Sequence, residues 1–273
     1  MRHLTIIFAF SLLISCQSNS STVDKSVENQ IVDIQVIFKG IINGDWVEPS
    51  YIDDLTKTKS PYNSQNALNS IVELNIDTSR IKGDSLEIGS PSIHEGMSFF
   101  VFFRPGITIN AFPTNIKDYD NESNFYELGY LISSKDTSLV IYHYDKNKKL
   151  LGQSEYKRVP KNSEGALQYM VNKTLVAGKY NSTDNKGKSI TVQLTNDGKV
   201  IGLQNFTKYY VLTDFVAGPE NNLDEICFDI QTKNQKCYAY EIKGNTINLY
   251  ENSENNDHLT LALGKLKYKL VKQ

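Results

Sequence analysis

The sequence predicts an all-β protein made of two tandem up-and-down antiparallel β-barrels with one short linking helix; a pair of β-sandwiches is the alternative architecture. Apolar and polar side chains alternate with a period of two in short segments such as 189–194 and 245–250. Turn-forming residues recur at short intervals, as at Pro105 and Gly106 and at 196–198. Sixteen Tyr and twelve Phe against three Met also favour strands over helices.

The first fifteen residues have the order of a secretory signal peptide. A basic start at residues 2–3 precedes an almost wholly apolar run over residues 4–14, and Ser15 is small. An apolar run of this length is too short to cross a bilayer as a helix, which needs roughly 20 residues. We therefore expect residues 1–15 to direct export and to be removed.

The signal segment ends on Leu13-Ile14-Ser15-Cys16, which resembles the lipobox of bacterial lipoproteins. That resemblance implies cleavage before Cys16, a diacylglycerol thioether on its sulfur and a third acyl chain on the new amino terminus. Such chains anchor a protein stably, because two membrane signals already suffice. Gln17 resembles the pattern sent to the outer membrane, so we expect an anchored envelope protein that faces the periplasm or the cell surface. The alternative is an ordinary signal peptide followed by an incidental cysteine.

The polar segment 16–32 is expected to be a flexible tether. It is rich in Ser, Asn and Gln and has few apolar side chains, so burial does not offset its ordering entropy. The folded part then divides after Pro160 into β domains over residues 33–160 and 161–273. The linking helix is expected just after this boundary, where Ser163 is a suitable N-cap. Apolar residues follow it at helical spacing: Leu167, Met170, Val171 and Leu175.

The two domains share an order of short motifs, which indicates an internal repeat. The first domain opens with Gly44-x-Trp46 and the second with Gly178-x-Tyr180. In both, a set of meandering strands follows, then a hairpin with Asx-Thr in its turn, and finally a Tyr-Lys strand.

This order resembles the lipocalin-like, or calycin, group. In lipocalins a Gly-x-Trp on the first strand closes the barrel floor, and a basic residue from the last strand lies across the Trp ring. The resemblance implies that Trp46 closes the first barrel with Arg158 over its ring, a cation–π contact. In the second barrel Tyr180 would take the Trp position, with Lys267 or Lys269 in place of the Arg. A closed eight-stranded barrel has no exposed edges and holds side chains or one small ligand.

Cys227 and Cys237 are expected to form a disulfide. Outside the cytoplasm a nearby pair is more often a disulfide than a metal site. A hairpin centred near Thr232 places the two cysteines opposite each other, with Ile226 and Phe228 on the other face. Directly opposed Cβ atoms lie ~4.5–5.5 Å apart, near the range that a disulfide closes. The alternative is two free thiols in a slipped hairpin.

Two segments of the first domain bear on ligand binding. The long insertion 49–69 suggests a lid over one barrel end. The run 99–103 is apolar on both faces, so its outward face must meet the other domain, the insertion or a partner. An open apolar pocket is the functional alternative, with Phe100, Phe102 and the nearby His94 as candidate ligand contacts.

Charge and motifs argue against several functions. The 29 Lys and Arg nearly balance the 31 Asp and Glu, so no basic field favours nucleic acid. Histidines lack partners at metal-ligand spacing, and no phosphate loop or serine elbow occurs, so we expect no metal, no cofactor and no enzyme. The sequence favours a binding module for a small apolar or amphipathic ligand or a partner protein. The alternatives are an interaction protein with filled barrels and, third, an envelope hydrolase.

Overall fold

The structure is a computed structural model that describes residues 35–91, 96–134, 136–160, 165–183, 186–215, 222–255 and 260–273. The predictions for Cys16, the tether, His94 and the Ser163 N-cap lie outside the described residues.

Strands dominate the chain and fall into two groups of eight, separated by a helix. The first group comprises β1 (Gly44–Val47), β2 (Glu73–Ile76), β3 (Ser85–Ser90), β4 (Met97–Phe102), β5 (Ala111–Pro113), β6 (Phe125–Ile132), β7 (Thr137–Tyr144) and β8 (Leu150–Val159). The second comprises β9 (Gly178–Thr183), β10 (Ser189–Leu194), β11 (Val200–Ile201), β12 (Tyr209–Val211), β13 (Glu225–Phe228), β14 (Lys236–Lys243), β15 (Thr246–Glu254) and β16 (Leu261–Lys272). The helices are α1 (35–42), α2 (Pro49–Thr58), α3 (Pro61–Ser64) and α4 (Ala166–Leu175).

Each group of strands forms one antiparallel sheet, which confirms the predicted all-β class. Successive strands pair with one another, and the first strand of each group pairs with the last, β1 with β8 and β9 with β16. The remaining edges meet only through isolated bridges, Val101 with Thr114 in the first sheet and Lys199 with Lys208 in the second. Each sheet therefore curls around its core but is not closed into the predicted barrel by a continuous ladder, so the sandwich alternative fits.

The expectation of a single helix is wrong. The segment 35–42 is helical although it contains Gly40 and β-branched residues, which lower intrinsic helix propensity. Phe38 and Ile42 lie one turn apart on α1 and are both buried in the core of the first sheet. Tertiary packing thus holds a helix that the local sequence does not predict. None of the described helices is long and apolar enough to span a membrane.

The insertion 49–69 contains α2 and α3 and packs against the second half of the chain. Tyr51, Ile52 and Leu55 of α2 belong to the same buried cluster as the inward-facing side chains of the second sheet and α4. The expected lid therefore exists, but it covers the core of the other domain. Because the insertion lies between β1 and β2, this packing ties the two halves together.

The predicted disulfide hairpin is confirmed. Cys227 and Cys237 are direct partners in the β13–β14 ladder, and their sulfurs are bonded at 1.99 Å. Ile226 and Phe228 point the other way, into the core of the second sheet. The alternation of side chains along the two strands was sufficient to place the cysteines on one face and the two apolar residues on the other.

Removing this disulfide is expected to lower the free energy of unfolding by about 2 kcal/mol, because a short closed loop restricts the unfolded chain. Urea unfolding of a Cys227→Ala/Cys237→Ala variant should show a lower midpoint than the oxidised protein. Wild type reduced by dithiothreitol is the matched control and should unfold with the variant. An unchanged midpoint in both would contradict the prediction.

Candidate functional site

The residue pair predicted to close the first barrel is in contact. Trp46 and Arg158 are neighbours in the β1–β8 ladder, and the guanidinium carbon lies 4.4 Å from the centroid of the indole ring. The indole Nε1 donates to the carbonyl of Ile42 at 2.8 Å, and Arg158 donates to the carbonyls of Asn43 (2.7 Å) and Ile41. The predicted cation–π contact is thus present, and it also fixes the end of α1.

The second domain has a corresponding pair of residues in its ladder. Tyr180 is fully buried and donates to the carbonyl of Val176, four residues earlier, at 2.5 Å. Its neighbour in the β9–β16 ladder is Lys272, which takes the position that Arg158 has in the first domain. The expectation of Lys267 or Lys269 is therefore wrong, because Lys272 lies three residues beyond Lys269 on β16 and local spacing did not fix the ladder register.

Side chains fill the core of the first sheet. Phe38 of α1 packs edge-on against Phe112 and Phe103, with ring centroids 4.5 and 5.6 Å apart. Phe100 and Phe102 lie on the opposite face of β4. Phe100 is 40% exposed, and Phe102 lies beneath the Arg104 guanidinium at 5.7 Å. A ligand inside this sheet would not meet Phe100 or Phe102, so the structure does not unite these candidates in a pocket.

A surface groove of about 490 Å³ lies beside the disulfide hairpin, but the carboxylate in it is already hydrogen-bonded within the protein. The Asp229 carboxylate accepts hydrogen bonds from the Thr207 amide at 3.0 Å, the Thr207 hydroxyl at 2.8 Å and the Lys208 amide at 2.9 Å. These bonds hold the turn together. The groove therefore offers little unsatisfied polarity to a ligand.

A second polar cluster also serves to hold a loop. His143 Nε2 lies 2.8 Å from the Asp118 carboxylate, and the Tyr126 ring stacks on the imidazole at 4.3 Å. Asp118 also accepts from the Asn124 side chain at 2.8 Å and the Asp120 amide at 2.9 Å. The Asn124 bond is the largest influence that keeps the pKa of Asp118 below its ordinary value. The hydrogen bonds of the Asp118 carboxylate thus stabilise its own loop.

The better candidate is a groove of about 380 Å³ between the insertion and the second sheet, which we call the interdomain groove. The α2–α3 region forms one wall, and the segment before β13 with parts of β14 and β16 forms the other. Its lining residues are Thr58, Lys59, Ser60, Tyr62, Asn63, Asn222, Leu223, Asp224, Ala239, Tyr240, Glu241, Ile242, Lys243 and Leu263.

A half-buried carboxylate lies in this groove. Asp224 accepts a hydrogen bond from the Tyr62 amide at 2.8 Å, across the boundary between the halves. Burial is the largest influence on this group and raises the pKa of Asp224, while hydrogen bonds from the Ser60 side chain and the Tyr62 amide oppose it. The anion is therefore poorly solvated, and a cationic or hydrogen-bond-donating ligand group would stabilise it.

Two tyrosine hydroxyls near Asp224 are buried without a hydrogen-bond partner among the described residues, those of Tyr240 and Tyr51. Tyr240 lines the groove although only 4% of its surface is exposed. Burial is the main cause that raises the pKa of both phenols, with the Asp224 charge adding to it. Both therefore stay neutral and able to donate. Leaving such a group unsatisfied costs about 1–3 kcal/mol.

The remaining lining makes the groove amphipathic. Glu241 forms an ion pair with Lys243 at 2.6 Å and accepts from the Tyr250 hydroxyl at 3.1 Å, so its charge is locally balanced. Leu263 is 47% exposed and contributes apolar surface together with Ile242. The groove thus combines a poorly solvated carboxylate with an aliphatic edge, as small-molecule sites combine a few polar groups with apolar surface.

Asp224 and Tyr240 did not emerge from the sequence, because no local motif marks them. In the described part of the chain, no group of three or more His, Cys, Asp or Glu side chains is arranged to hold a metal ion. No protein family, curated protein or solved structure matches this chain.

Proposed function

We propose that this protein is an envelope lipoprotein that binds a small amphipathic molecule in the interdomain groove and catalyses no reaction. The lipobox-like residues ending at Cys16 support the location. The observation that carries the binding proposal is the poorly solvated Asp224 carboxylate, which lines the groove beside Tyr240, a buried residue whose hydroxyl has no hydrogen-bond partner among the described residues. A buried hydroxyl without a partner calls for an explanation, and a hydrogen bond to a bound ligand is the one proposed here.

The groove favours a ligand with an amine head and an aliphatic tail. Asp224 supplies a poorly solvated carboxylate, and the Tyr240 hydroxyl supplies a further hydrogen bond beside it. Leu263 and Ile242 offer apolar surface to a tail. The carboxylates of the groove favour binding over catalysis, because each already has partners within the protein. Glu241 forms an ion pair with Lys243 and accepts a hydrogen bond from Tyr250, and Asp224 accepts one from the Tyr62 amide of the insertion.

Tyr240→Phe separates binding from stability, because the two should change in opposite directions. Removing an unsatisfied buried hydroxyl should leave the unliganded protein as stable as wild type or more stable by up to about 1 kcal/mol. Affinity for a long-chain amine such as dodecylamine should fall about tenfold, measured by titration calorimetry on the mature chain. A loss of stability with unchanged affinity would refute the assignment.

Tyr156→Phe is the matched control for this substitution. Its hydroxyl is also buried but donates to the carbonyl of Ile71 at 2.7 Å. The control should therefore lose about 1 kcal/mol of stability and keep wild-type affinity for the amine.

Asp224→Asn tests the proposed amine head. The variant should bind dodecylamine at least tenfold more weakly, whereas binding of the uncharged dodecanol should change little. In wild type, amine binding should weaken as the pH falls through the raised pKa of Asp224, since protonation removes the charge. Tighter binding of dodecanoate than of dodecylamine would overturn the proposed ligand class.

A further inference from the structure

One end of the first domain exposes a cluster of aliphatic side chains, which we call the aliphatic end. They come from α1, from the loop between β4 and β5, and from the end of β6. Its members are Val36, Ile37, Ile107, Ile109, Leu131 and Ile132. A surface groove of about 370 Å³ includes Ile37, Ile107 and Ile109 in its lining, so these members lie side by side.

The loop 104–110 is built to hold this shape. The buried carboxylate of Glu127 accepts from the amides of Ile107 at 2.7 Å and Thr108 at 3.2 Å. A Cβ at Gly106 would lie 2.6 Å from that carboxyl group, so only glycine allows the close approach. The Thr108 hydroxyl is hydrogen-bonded to the Tyr144 hydroxyl, which fixes the centre of the loop.

This ordered loop presents Ile109 to solvent with 86% of its surface exposed. Single exposed apolar residues are ordinary, but Ile37, Ile107 and Ile109 line one groove from two different elements, and such a contiguous set marks an interaction surface. A buried carboxylate that anchors the loop holds Ile107 and Ile109 outward instead of letting them collapse onto the sheet. The arrangement therefore calls for an apolar partner.

The composition of the aliphatic end favours lipid over protein. Protein interfaces concentrate their binding energy in Trp, Tyr and Arg, whereas the exposed members here are all Val, Ile or Leu. The segments 35–42 and 104–112 carry only two charged residues, Lys39 and Arg104, and both are cationic. The neighbouring turn 81–84 adds Lys82 and Asp84, which offset each other. Cations beside exposed aliphatics suit an anionic phospholipid surface.

The course of the chain points to the same partner. The described chain begins at Gln35, next to Val36 and Ile37 of the aliphatic end, and only nineteen positions after Cys16. The point at which the fold is joined to the segment bearing the proposed acyl chains is thus the aliphatic end itself. No other face of the fold is as close to Cys16 along the chain.

We propose that the aliphatic end seats directly on the membrane, with Ile107 and Ile109 inserted among lipid acyl chains and Lys39 and Arg104 at the headgroups. This contact requires neither the groove nor the acyl chains to form, although the assignment of a membrane partner rests in part on the proposed anchor at Cys16. It orients the first domain against the bilayer and leaves the second domain, with the interdomain groove, further along the chain from the anchor.

The test uses the mature chain from residue 16 with Cys16→Ser, so that no acyl chain contributes. Sedimentation with vesicles of phosphatidylethanolamine and phosphatidylglycerol should show binding, and pure phosphatidylcholine vesicles should bind less. Ile109→Asp should weaken partitioning about tenfold or more, because an aliphatic side chain proposed to insert among the acyl chains is replaced by a charge. Glu127→Gln should weaken it as well by loosening the loop.

Ile201→Asp is the matched control, since Ile201 is 57% exposed on β11 of the other domain. It should bind vesicles as wild type does. The proposal is overturned if the unacylated chain does not bind vesicles, or if both Asp variants bind equally. It is also overturned if sedimentation velocity shows that Ile109→Asp abolishes a dimer, because the aliphatic end would then cover a second copy.

Discussion

Trp46→Ala is expected to lower the free energy of unfolding by about 3–5 kcal/mol, the largest effect of any substitution considered for this protein. Trp46 is fully buried at the centre of the first sheet's core. The substitution removes its packing, leaves the Ile42 carbonyl without the indole donor, and opens a cavity beneath Arg158. A change of this size is a large part of the 5–15 kcal/mol that stabilises a typical domain.

Guanidinium chloride unfolding followed by circular dichroism measures this loss. If Trp46→Ala does not fold, Trp46→Phe keeps most of the apolar volume but not the indole donor. That variant should lose about 1–2 kcal/mol. Losses below about 1 kcal/mol for Ala would show that the ring does not support the core.

Arg158→Met separates the cation–π contact from packing. This exposed residue should contribute about 1 kcal/mol through the ring contact and its bonds to the carbonyls of Asn43 and Ile41. In the Trp46→Ala/Arg158→Met double variant the losses should not add, with a coupling of about 0.5–1 kcal/mol. Additive losses would mean that the stacked geometry carries no energy.

The features predicted correctly from the sequence are those set by local periodicity. Alternation along β13 and β14 placed Cys227 opposite Cys237, because side chains on a strand change faces at every residue. The contact between Trp46 and Arg158 was expected instead from the resemblance to lipocalins, in which a Gly-x-Trp motif meets a basic residue of the last strand. Helical spacing likewise located α4, Ala166–Leu175.

The features that the sequence missed depend on contacts between distant residues. The Tyr62 amide meets Asp224 across 162 positions, and neither segment carries a local signal for the other. The insertion 49–69 looked like a lid for its own domain, yet its buried face fits the second sheet. The first amides of α4 find their acceptor in Glu73, on a strand of the other domain, and no local pattern in the sequence indicates that contact.

Glu73→Ala is the second large effect, expected at about 3–4 kcal/mol. Glu73 belongs to β2, and its buried carboxylate accepts from the amides of Ala166 at 2.9 Å and Leu167 at 2.8 Å. These amides begin α4, where helix N–H groups have no partner within the helix. The carboxylate also interacts favourably with the positive end of the helix dipole. Its removal leaves two buried donors unsatisfied.

The pH dependence of the free energy of unfolding tests whether the Glu73 carboxylate has this role. Burial raises its pKa above the ordinary value of 4.5 and outweighs the two amide bonds that lower it. The native state therefore holds this proton more readily than the unfolded chain, so stability falls as the pH rises from about 4.5 through the native pKa. Glu73→Gln should lack that slope, and it should lose about half as much stability as Ala because the amide oxygen still accepts one bond.

Glu87→Ala is the matched control, since Glu87 is partly exposed on β3 and pairs with Arg80 at 3.2 Å. It should change stability by less than about 1 kcal/mol.

Because Glu73 joins the first sheet to α4 and the α2 helix packs in the core of the second sheet, the wild-type protein should unfold in a single transition. Glu73→Ala should separate the transitions of the two halves while their secondary structure persists. Two transitions already in wild type would mean that the carboxylate caps a helix without coupling the domains.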